Sequence, residues 1–172
     1  MERDNRGLSM VEIIIILALI AVLAGAVGLG IGMVSGRAAD ECAGKLRSAI
    51  RNSRITTMGK GAGEVRLYIY EAADGSIMIR QVIGAAEPQT TPIGDKGVTV
   101  EFKITGDTTY RPLGDESHPL IIGFDRSSGA FKMLDAMGGD YIGKYCVEIK
   151  VSKGDRTKTL ELFSLTGKVT ME

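Results

Sequence analysis

Residue types that could carry catalysis are concentrated around His118, the single histidine of this chain of 172 residues. The run Asp115-Glu116-Ser117-His118 contains the serine, histidine and acid of a hydrolase triad. Residues adjacent in sequence do not easily reach triad geometry, however, and the sequence has no GxSxG nucleophile elbow. HExxH, Walker A and EF-hand patterns are absent from the sequence as well. We therefore expect a polar loop before a strand at His118, no catalytic residues and no enzyme activity.

The cysteine, aspartate and glycine patterns predict no metal and no cofactor. Cys42 and Cys146 lie far apart and form no CxxC pair, which favours two unpaired thiols and leaves a long-range disulfide open for an exported domain. Aspartates recur in the predicted loops, but none has the ligand spacing of a calcium site. Gly138-Gly139 is not followed by a predicted helix, so it does not form a phosphate-binding loop.

The charge of the chain is balanced, with 21 basic and 21 acidic residues and a formal net charge of zero. A neutral chain gives no electrostatic reason to expect nucleic acid as its main partner. Glycine is frequent, with 23 residues, which predicts many turns and some close helix packing.

The strongest signal in the sequence is an uncharged apolar run at residues 13–34. As a helix it would rise roughly 33 Å at ~1.5 Å per residue, which matches a hydrocarbon core of ~30 Å and predicts a transmembrane segment. The run is too long for a cleaved secretory signal, and Glu2 and Asp4 precede it. A plain signal anchor fits its length but does not account for Glu12, which stands directly before the run. A carboxylate there either marks the membrane surface or has a partner.

The segment from Arg6 through Glu12, RGLSMVE, is followed by IIIILALIAVLAG and resembles the signature of type IV prepilins and type II secretion pseudopilins. That family has a short polar leader that ends in Gly, an apolar first mature residue, and Glu as the fifth mature residue. The resemblance implies that a prepilin peptidase cuts between Gly7 and Leu8 on the cytoplasmic side and then methylates the amine of Leu8. The chain departs from the family in starting with Leu8 rather than Phe, and in having the Gly-rich stretch 25–32 where many members carry a helix-kinking Pro.

The same resemblance implies an assembly role for Glu12. The cut creates a positive amine on Leu8, and in a helical filament Glu12 of one subunit would pair with the Leu8 amine of the next. In a medium of low dielectric constant such a pair is strongly favoured over two unpaired charges. We therefore expect Glu12 to set the register of assembly.

The sequence after the apolar run predicts an amphipathic helix followed by strands. Apolar and small residues recur at helical spacing over 37–57, and Gly59 follows Met58 as a stop signal; the predicted inner face consists of Cys42, Leu46, Ala49, Ile50 and Ser53. Alternating apolar residues downstream predict about seven or eight short strands. Asp74-Gly75 is a hairpin turn signal, and residues 84–97 and 105–118 are predicted loops.

These elements predict a fold of class α+β, in which a long N-terminal α-helix, part membrane-spanning and part amphipathic stem, packs on a C-terminal antiparallel β-sheet head as in pilins. The predicted divisions are a leader at 1–7, a helix at 8–57 with its membrane span at 13–34 and its stem at 37–57, and a β-rich head at 58–172.

Two softer similarities point to a minor subunit. The stem with its first strand, and the closing Thr166-Gly167-Lys168, are similar to the GspH/FimT-type minor pseudopilins. Some members of that group bind DNA through basic residues near the C-terminus, but here acidic residues interleave with the basic ones, which disfavours DNA; the basic residues are Lys150, Lys153, Arg156, Lys158 and Lys168.

We therefore expect a structural, minor subunit of a type IV pilus or type II secretion pseudopilus. Its expected partners are other pilin or pseudopilin subunits, the prepilin peptidase and the membrane. Its expected location is the cytoplasmic (inner) membrane, as a single-pass protein with an extracytoplasmic head. Two alternatives remain: a single-pass membrane protein with an external β-rich binding or sensory head, and a DNA-uptake minor pilin.

Overall fold

The computed structural model describes residues 10–59, 64–134, 137 and 139–172, except for the side chains of 22–36 and 140. The chain divides into two compact units, an N-terminal unit, Met1–Ser35, and a head unit, Gly36–Glu172. Helix α1 has the bounds Met10–Met58. Its side chains are described in two short helical stretches, 10–21 in the N-terminal unit and 37–58 in the head unit.

In the described part of the head unit, nine strands form two antiparallel sheets. The first sheet has the order β3-β2-β1-β6 and the second has the order β5-β4-β7-β8-β9. A 3₁₀-helix at Gly139–Tyr141 precedes β7. The strands are β1 (Val65–Glu71), β2 (Ile77–Ile83), β3 (Gln89–Gly94), β4 (Thr99–Ile104), β5 (Arg111–Pro112), β6 (Leu120–Gly123), β7 (Cys146–Lys153), β8 (Arg156–Phe163) and β9 (Lys168–Met171).

The predicted fold class, α+β with one long N-terminal helix packed on an antiparallel sheet, is wrong. The helical residues whose side chains are described fall into two short stretches, 10–21 and 37–58, which belong to different units. The head unit is mostly β, with two antiparallel sheets instead of one. Apolar alternation identifies a strand but does not say which partner it pairs with, so the sequence could not divide the strands between two sheets.

The core of the head unit lies between the helical stretch 37–58 and both sheets. The predicted 3–4 spacing of the inner helix face is confirmed, since Cys42, Leu46, Ile50 and Ser53 are fully buried. Each buried Leu or Ile contributes about 1.5–3 kcal/mol relative to an exposed one. The sheets supply the remaining side chains of this core, among which Ile69, Ile77, Leu120, Ile149 and Leu160 are fully buried.

Two predicted loops contain strands that the apolar pattern does not reveal. Strand β3 lies within 84–97 and reads QTTPIG, with its first four residues exposed. It is an edge strand paired only with β2, where polar side chains and Pro92 are tolerated. Strand β5 lies within 105–118 and is only two residues long. Conversely, the apolar residues within 130–134 form no strand, and only a single bridge joins Phe131 to Phe124.

Candidate functional site

The helical stretch 10–21 is apolar on every side and uncovered. All of its large apolar side chains are exposed, from 44% at Ile16 to 81% at Met10. A helix that is hydrophobic all round is normally found buried, in a protein core or in a membrane. Apolar side chains of this kind are favoured in contact with lipid or with other apolar groups rather than with water.

Glu12 interrupts this apolar surface. It lies in the first turn of α1 and its side chain is exposed. A negative charge near a helix N-terminus is favourable, because the unpaired N–H groups there carry partial positive charge. Glu12 is the residue predicted to act in assembly; the two residues of the predicted processing site, Gly7 and Leu8, lie outside the described residues, as does the leader 1–7. The structure therefore places one of the three residues.

The membrane prediction concerns side chains that are only partly described. Among the residues whose side chains the structure describes, no helix is long and apolar enough to cross a membrane. The predicted span 13–34 continues through 22–34, and the Gly-rich stretch 25–32 lies within that part, whose side chains fall outside the described ones.

The side chains of His118 and Asp115 contact each other in an exposed turn before β6. Ser117 contributes its backbone N–H to this turn rather than its hydroxyl. The distance between His118 Nδ1 and Asp115 Oδ1 is 3.2 Å, and the same oxygen accepts hydrogen bonds from the backbone N–H groups of Ser117 and His118 at 3.0 Å each. The His118 contact, followed by these backbone bonds, lowers the pKa of Asp115. The geometry is that of a polar turn closed by an aspartate, as the sequence predicted for this loop.

Both thiols are buried in the head unit, and neither forms a disulfide. Burial raises the pKa of Cys42 to about 11 and that of Cys146 further. A thiol in such surroundings is a small apolar core group and a poor nucleophile. No group of three or more potential metal ligands occurs within the part of the chain that the structure describes.

Two of the C-terminal lysines form contacts within the head unit. Lys150 Nζ lies 2.9 Å from Glu101 Oε2, and Lys153 Nζ donates to the carbonyl of Lys96 at 3.1 Å. The outer face of the second sheet therefore alternates in charge, since Glu148 also lies on it.

Tyr110, in the loop before β5, binds to this outer face through its hydroxyl and its ring. Its hydroxyl donates to Glu148 Oε2 at 2.5 Å, and the ammonium groups of Lys103 and Lys150 lie 4.3 and 5.0 Å from its ring centroid. The hydrogen bond to Glu148, followed by burial, raises the pKa of Tyr110 to about 12. This cluster is a polar contact between the loop before β5 and strands β4 and β7, and the strand pattern gave no signal for it.

The end of the helical stretch 37–58 meets two turns at a junction that the sequence did not reveal. Arg54 Nε donates to the carbonyl of Gly129 at 2.9 Å. A Cβ added to Gly167 would overlap that carbonyl oxygen and lie 2.8 Å from Arg54 Nε. Gly129 and Gly167 therefore allow the β6 turn, the β8–β9 turn and the helix to approach closely. The only sequence signal was the closing Thr166-Gly167-Lys168.

Comparisons of this chain with known proteins identify no relative: no protein-family model, no curated protein and no solved structure matches it. The functional argument therefore depends on the residues of this chain. Among the described residues, the exposed apolar stretch 10–21 with Glu12 near its start is the feature from which a function is best argued.

Proposed function

We propose that this chain is a structural, minor subunit of a type IV pilus or type II secretion pseudopilus that assembles through its N-terminal helix. The observation that supports the proposal most directly is the uncovered apolar stretch 10–21, whose first turn contains Glu12. Apolar side chains on all sides suit a helix that is surrounded first by lipid and then by neighbouring helices.

The proposed processing step is peptide-bond hydrolysis between Gly7 and Leu8 by a prepilin peptidase, followed by methylation of the new amine. This step removes the charged leader residues and leaves a single positive charge at the start of the apolar helix. The chain is thus a substrate of enzymes, and its own contribution is the recognition segment from Arg6 to Glu12.

Glu12 provides the specificity of the proposed assembly. Apolar contacts between helices are not directional, so they cannot fix how far one helix slides past the next. A carboxylate in an apolar surrounding strongly favours the one position at which it meets a positive group. In the proposed filament that group is the amine of Leu8 on the next subunit.

Before assembly, the proposed location is the cytoplasmic (inner) membrane, crossed once by the apolar segment. The head unit would lie on the extracytoplasmic side. Its surface carries mixed charge and its core lies within residues 38–171, so it requires no burial in lipid.

The decisive experiment measures the mature N-terminus by mass spectrometry of the full chain, expressed in cells that contain an active prepilin peptidase. The expected mass lacks residues 1–7 and includes one methyl group. In a matched pair of variants, Glu12→Gln removes the charge with almost no change of shape, and Arg6→Gln does the same outside the mature chain. We expect Glu12→Gln to be cleaved but absent from sheared filaments.

Two results would contradict the proposal. An intact Met1 in cells that process a known prepilin would favour a single-pass membrane protein with an external binding head. Normal filament incorporation of Glu12→Gln would refute the pairing of Glu12 with the Leu8 amine.

A further inference from the structure

Strand β9 is the last strand of the second sheet and pairs only with β8. Just past its end, Glu172 exchanges both main-chain hydrogen bonds with Thr159, at 2.9 and 3.2 Å. Hydrogen-bonded and non-hydrogen-bonded pairs alternate along an antiparallel ladder, so Thr170 also directs its main-chain groups at β8. The N–H and C=O groups of Val169 and Met171 therefore point away from β8, and no described segment forms a hydrogen bond with them.

The other three edges of the two sheets are protected against a further strand. The edge strands β3 and β5 each contain a proline, Pro92 and Pro112, which offers no N–H to a neighbour. The outer side of β6 is already occupied, since the N–H of Lys132 donates to the carbonyl of Gly123 at 2.9 Å. Within the described ranges, β9 is thus the one edge that can accept another strand along its backbone.

The residues of β9 are complementary to a second β9 that runs antiparallel to it. When Thr170 faces Thr170 of the second copy, Lys168 of each chain faces Glu172 of the other. The same register places Val169 opposite Met171 of the second copy, so the outward N–H and C=O groups of both chains bond to each other. Facing threonines and facing opposite charges both stabilise antiparallel strands. A shift of two residues in either direction loses both charge pairs.

Charge along β9 changes from positive at its start to negative at its end. Lys168 and Glu172 are exposed, and neither has an ion-pair partner in the part of the chain that the structure describes. Arg54 lies beside the turn that precedes Lys168. Glu161 of β8 lies diagonally beside Glu172 on the same face, whereas strand alternation places Lys158 on the opposite face. An antiparallel second copy therefore brings the positive end of each strand to the negative end of the other.

We propose that β9 binds β9 of a second copy of this chain, so that the second sheets of two head units join into one continuous antiparallel sheet. The two-fold axis of this contact passes between the two Thr170 residues. Both chains use the same surface, so the contact closes after two copies. The inference goes beyond the proposed function and does not rest on it, because cleavage after Gly7 and filament entry concern the N-terminal segment alone.

A second β9 fits this edge better than an unrelated extended peptide does. Any peptide could bond to the outward main-chain groups, because those bonds carry no preference for side chains. The side chains supply the preference. Lys168 and Glu172 each require an opposite charge at a fixed spacing, and the antiparallel copy provides both charges at once.

The first test traps the contact in the full-length chain with a disulfide at the two-fold axis. In Thr170→Cys the two facing Cα atoms would be about 4.5 Å apart, which is within the range that a disulfide spans. The matched control is Thr157→Cys, an exposed site on the same face of β8. Its two copies would be separated by three strand spacings, roughly 14 Å. The native thiols are buried, and the unsubstituted chain gives their background.

After mild oxidation in intact cells, we expect a disulfide-linked dimer from Thr170→Cys and much less from Thr157→Cys, as read on a non-reducing gel. Equal yields from the two variants would overturn the proposal. A Thr170→Cys chain that stays monomeric, or that links only to a different protein, would overturn it as well.

The register is tested with two differently tagged full-length chains. A chain with Lys168→Cys and a chain with Glu172→Cys should give a doubly tagged product, because the two positions face each other. Two tagged chains that both carry Lys168→Cys should give little product, since four residues, roughly 13 Å, separate these positions along the strands. A preference for the second combination would indicate parallel strands and refute the antiparallel register.

Reversal of charge tests the side-chain pairing in the Thr170→Cys chain. Lys168→Glu should lower the dimer yield about tenfold, because like charges directly opposite each other are destabilising and the symmetric contact contains two such pairs. Adding Glu172→Lys exchanges the two charges and should restore the yield. Arg156→Glu, an exposed change at the start of β8, is the matched control and should have no effect. A doubly substituted chain without restored yield would refute the pairing.

The backbone contribution is tested by proline. In the Thr170→Cys chain, Met171→Pro removes an N–H that points away from β8, so the pairing of β8 with β9 remains possible. Met171→Ala loses the same side chain and keeps the N–H. We expect the alanine variant to form the dimer and the proline variant to form several times less of it. Equal yields from these two variants would show that the strands do not bond to each other and would overturn the inference.

Discussion

Substituting Gly167 with alanine should destabilise the head unit far more than the same substitution at Gly154. Both glycines have a positive φ, +63° for Gly167 and +58° for Gly154, so an alanine meets the same backbone penalty at each. They differ in their surroundings. A Cβ on Gly154 would have nothing within 4 Å, while one on Gly167 would overlap the carbonyl oxygen of Gly129. The pair therefore separates the cost of backbone conformation from the cost of a steric clash.

The expected magnitudes follow from these two terms. A non-glycine residue in the left-handed region costs about 1–2 kcal/mol, which is the whole effect at Gly154. At Gly167 the Gly129 carbonyl must also move away from Arg54, whose half-buried Nε then loses its acceptor at a further cost of about 1–3 kcal/mol. The difference between the variants should therefore be about 1–3 kcal/mol in free energy of unfolding.

The measurement is equilibrium urea unfolding of the head unit Gly36–Glu172, which contains the whole described core. With unchanged m values, the midpoint should fall for Gly154→Ala and roughly two to three times as far for Gly167→Ala. In an Arg54→Met background, Gly167→Ala should cost less than it does alone, because the two side chains share one contact. Equal losses at Gly154 and Gly167 would refute the junction of helix and turns.

Three further outcomes follow from the head unit. The hydrogen bond to Glu148, followed by burial, raises the pKa of Tyr110 from 10.0 to about 12, so Tyr110 stabilises the fold as the neutral phenol. That contribution to stability is complete below pH 10.0 and is lost as the pH rises through about 12. Glu148→Gln should lower the pKa of Tyr110 in an ultraviolet titration, with Tyr110→Phe as the control. Cys42, whose pKa burial raises to about 11, should not react with an aromatic disulfide reagent at neutral pH until urea unfolds the chain; rapid labelling in the native state would contradict its burial. Leu46→Ala should lower the free energy of unfolding by about 2–5 kcal/mol, whereas Leu165→Ala, at a side chain that is 85% exposed, should stay within about 0.5 kcal/mol, both measured by urea unfolding.

The parts of the fold that could be predicted are those encoded by residues close together in sequence. The inner face of the stretch 37–58 follows from its 3–4 spacing, and the helix ends at Met58, next to the Gly59 stop signal. The turn at Asp74-Gly75 joins β1 to β2 as predicted, with Asp74 Oδ1 accepting from the N–H of Ser76 at 2.9 Å. Periodicity and turn chemistry act within a few residues, so a single sequence expresses them fully.

The parts that could not be predicted depend on contacts between distant segments. The sequence of β3 is polar because its edge position in the first sheet requires no apolar alternation. The contact of Tyr110 with Glu148 joins residues 38 positions apart, and that of Arg54 with Gly129 joins residues 75 positions apart. Such pairs leave no local pattern. The same limit explains why two sheets were predicted as one.

The proposed assembly assigns different tasks to apolar contact and to charge. Apolar burial of the stretch 10–21 supplies attraction, at about 25 cal/mol per Å² of apolar surface covered, but that attraction changes little when one helix slides or rotates against another. Charges restrict such freedom, because an ion pair in a poorly solvated contact is favourable at one offset and costly at the others. Glu12 would fix that offset between neighbouring helices. Glu12→Gln should therefore leave the apolar attraction unchanged and remove the preferred offset, so the variant would still meet its neighbours in the membrane but would not form an ordered filament.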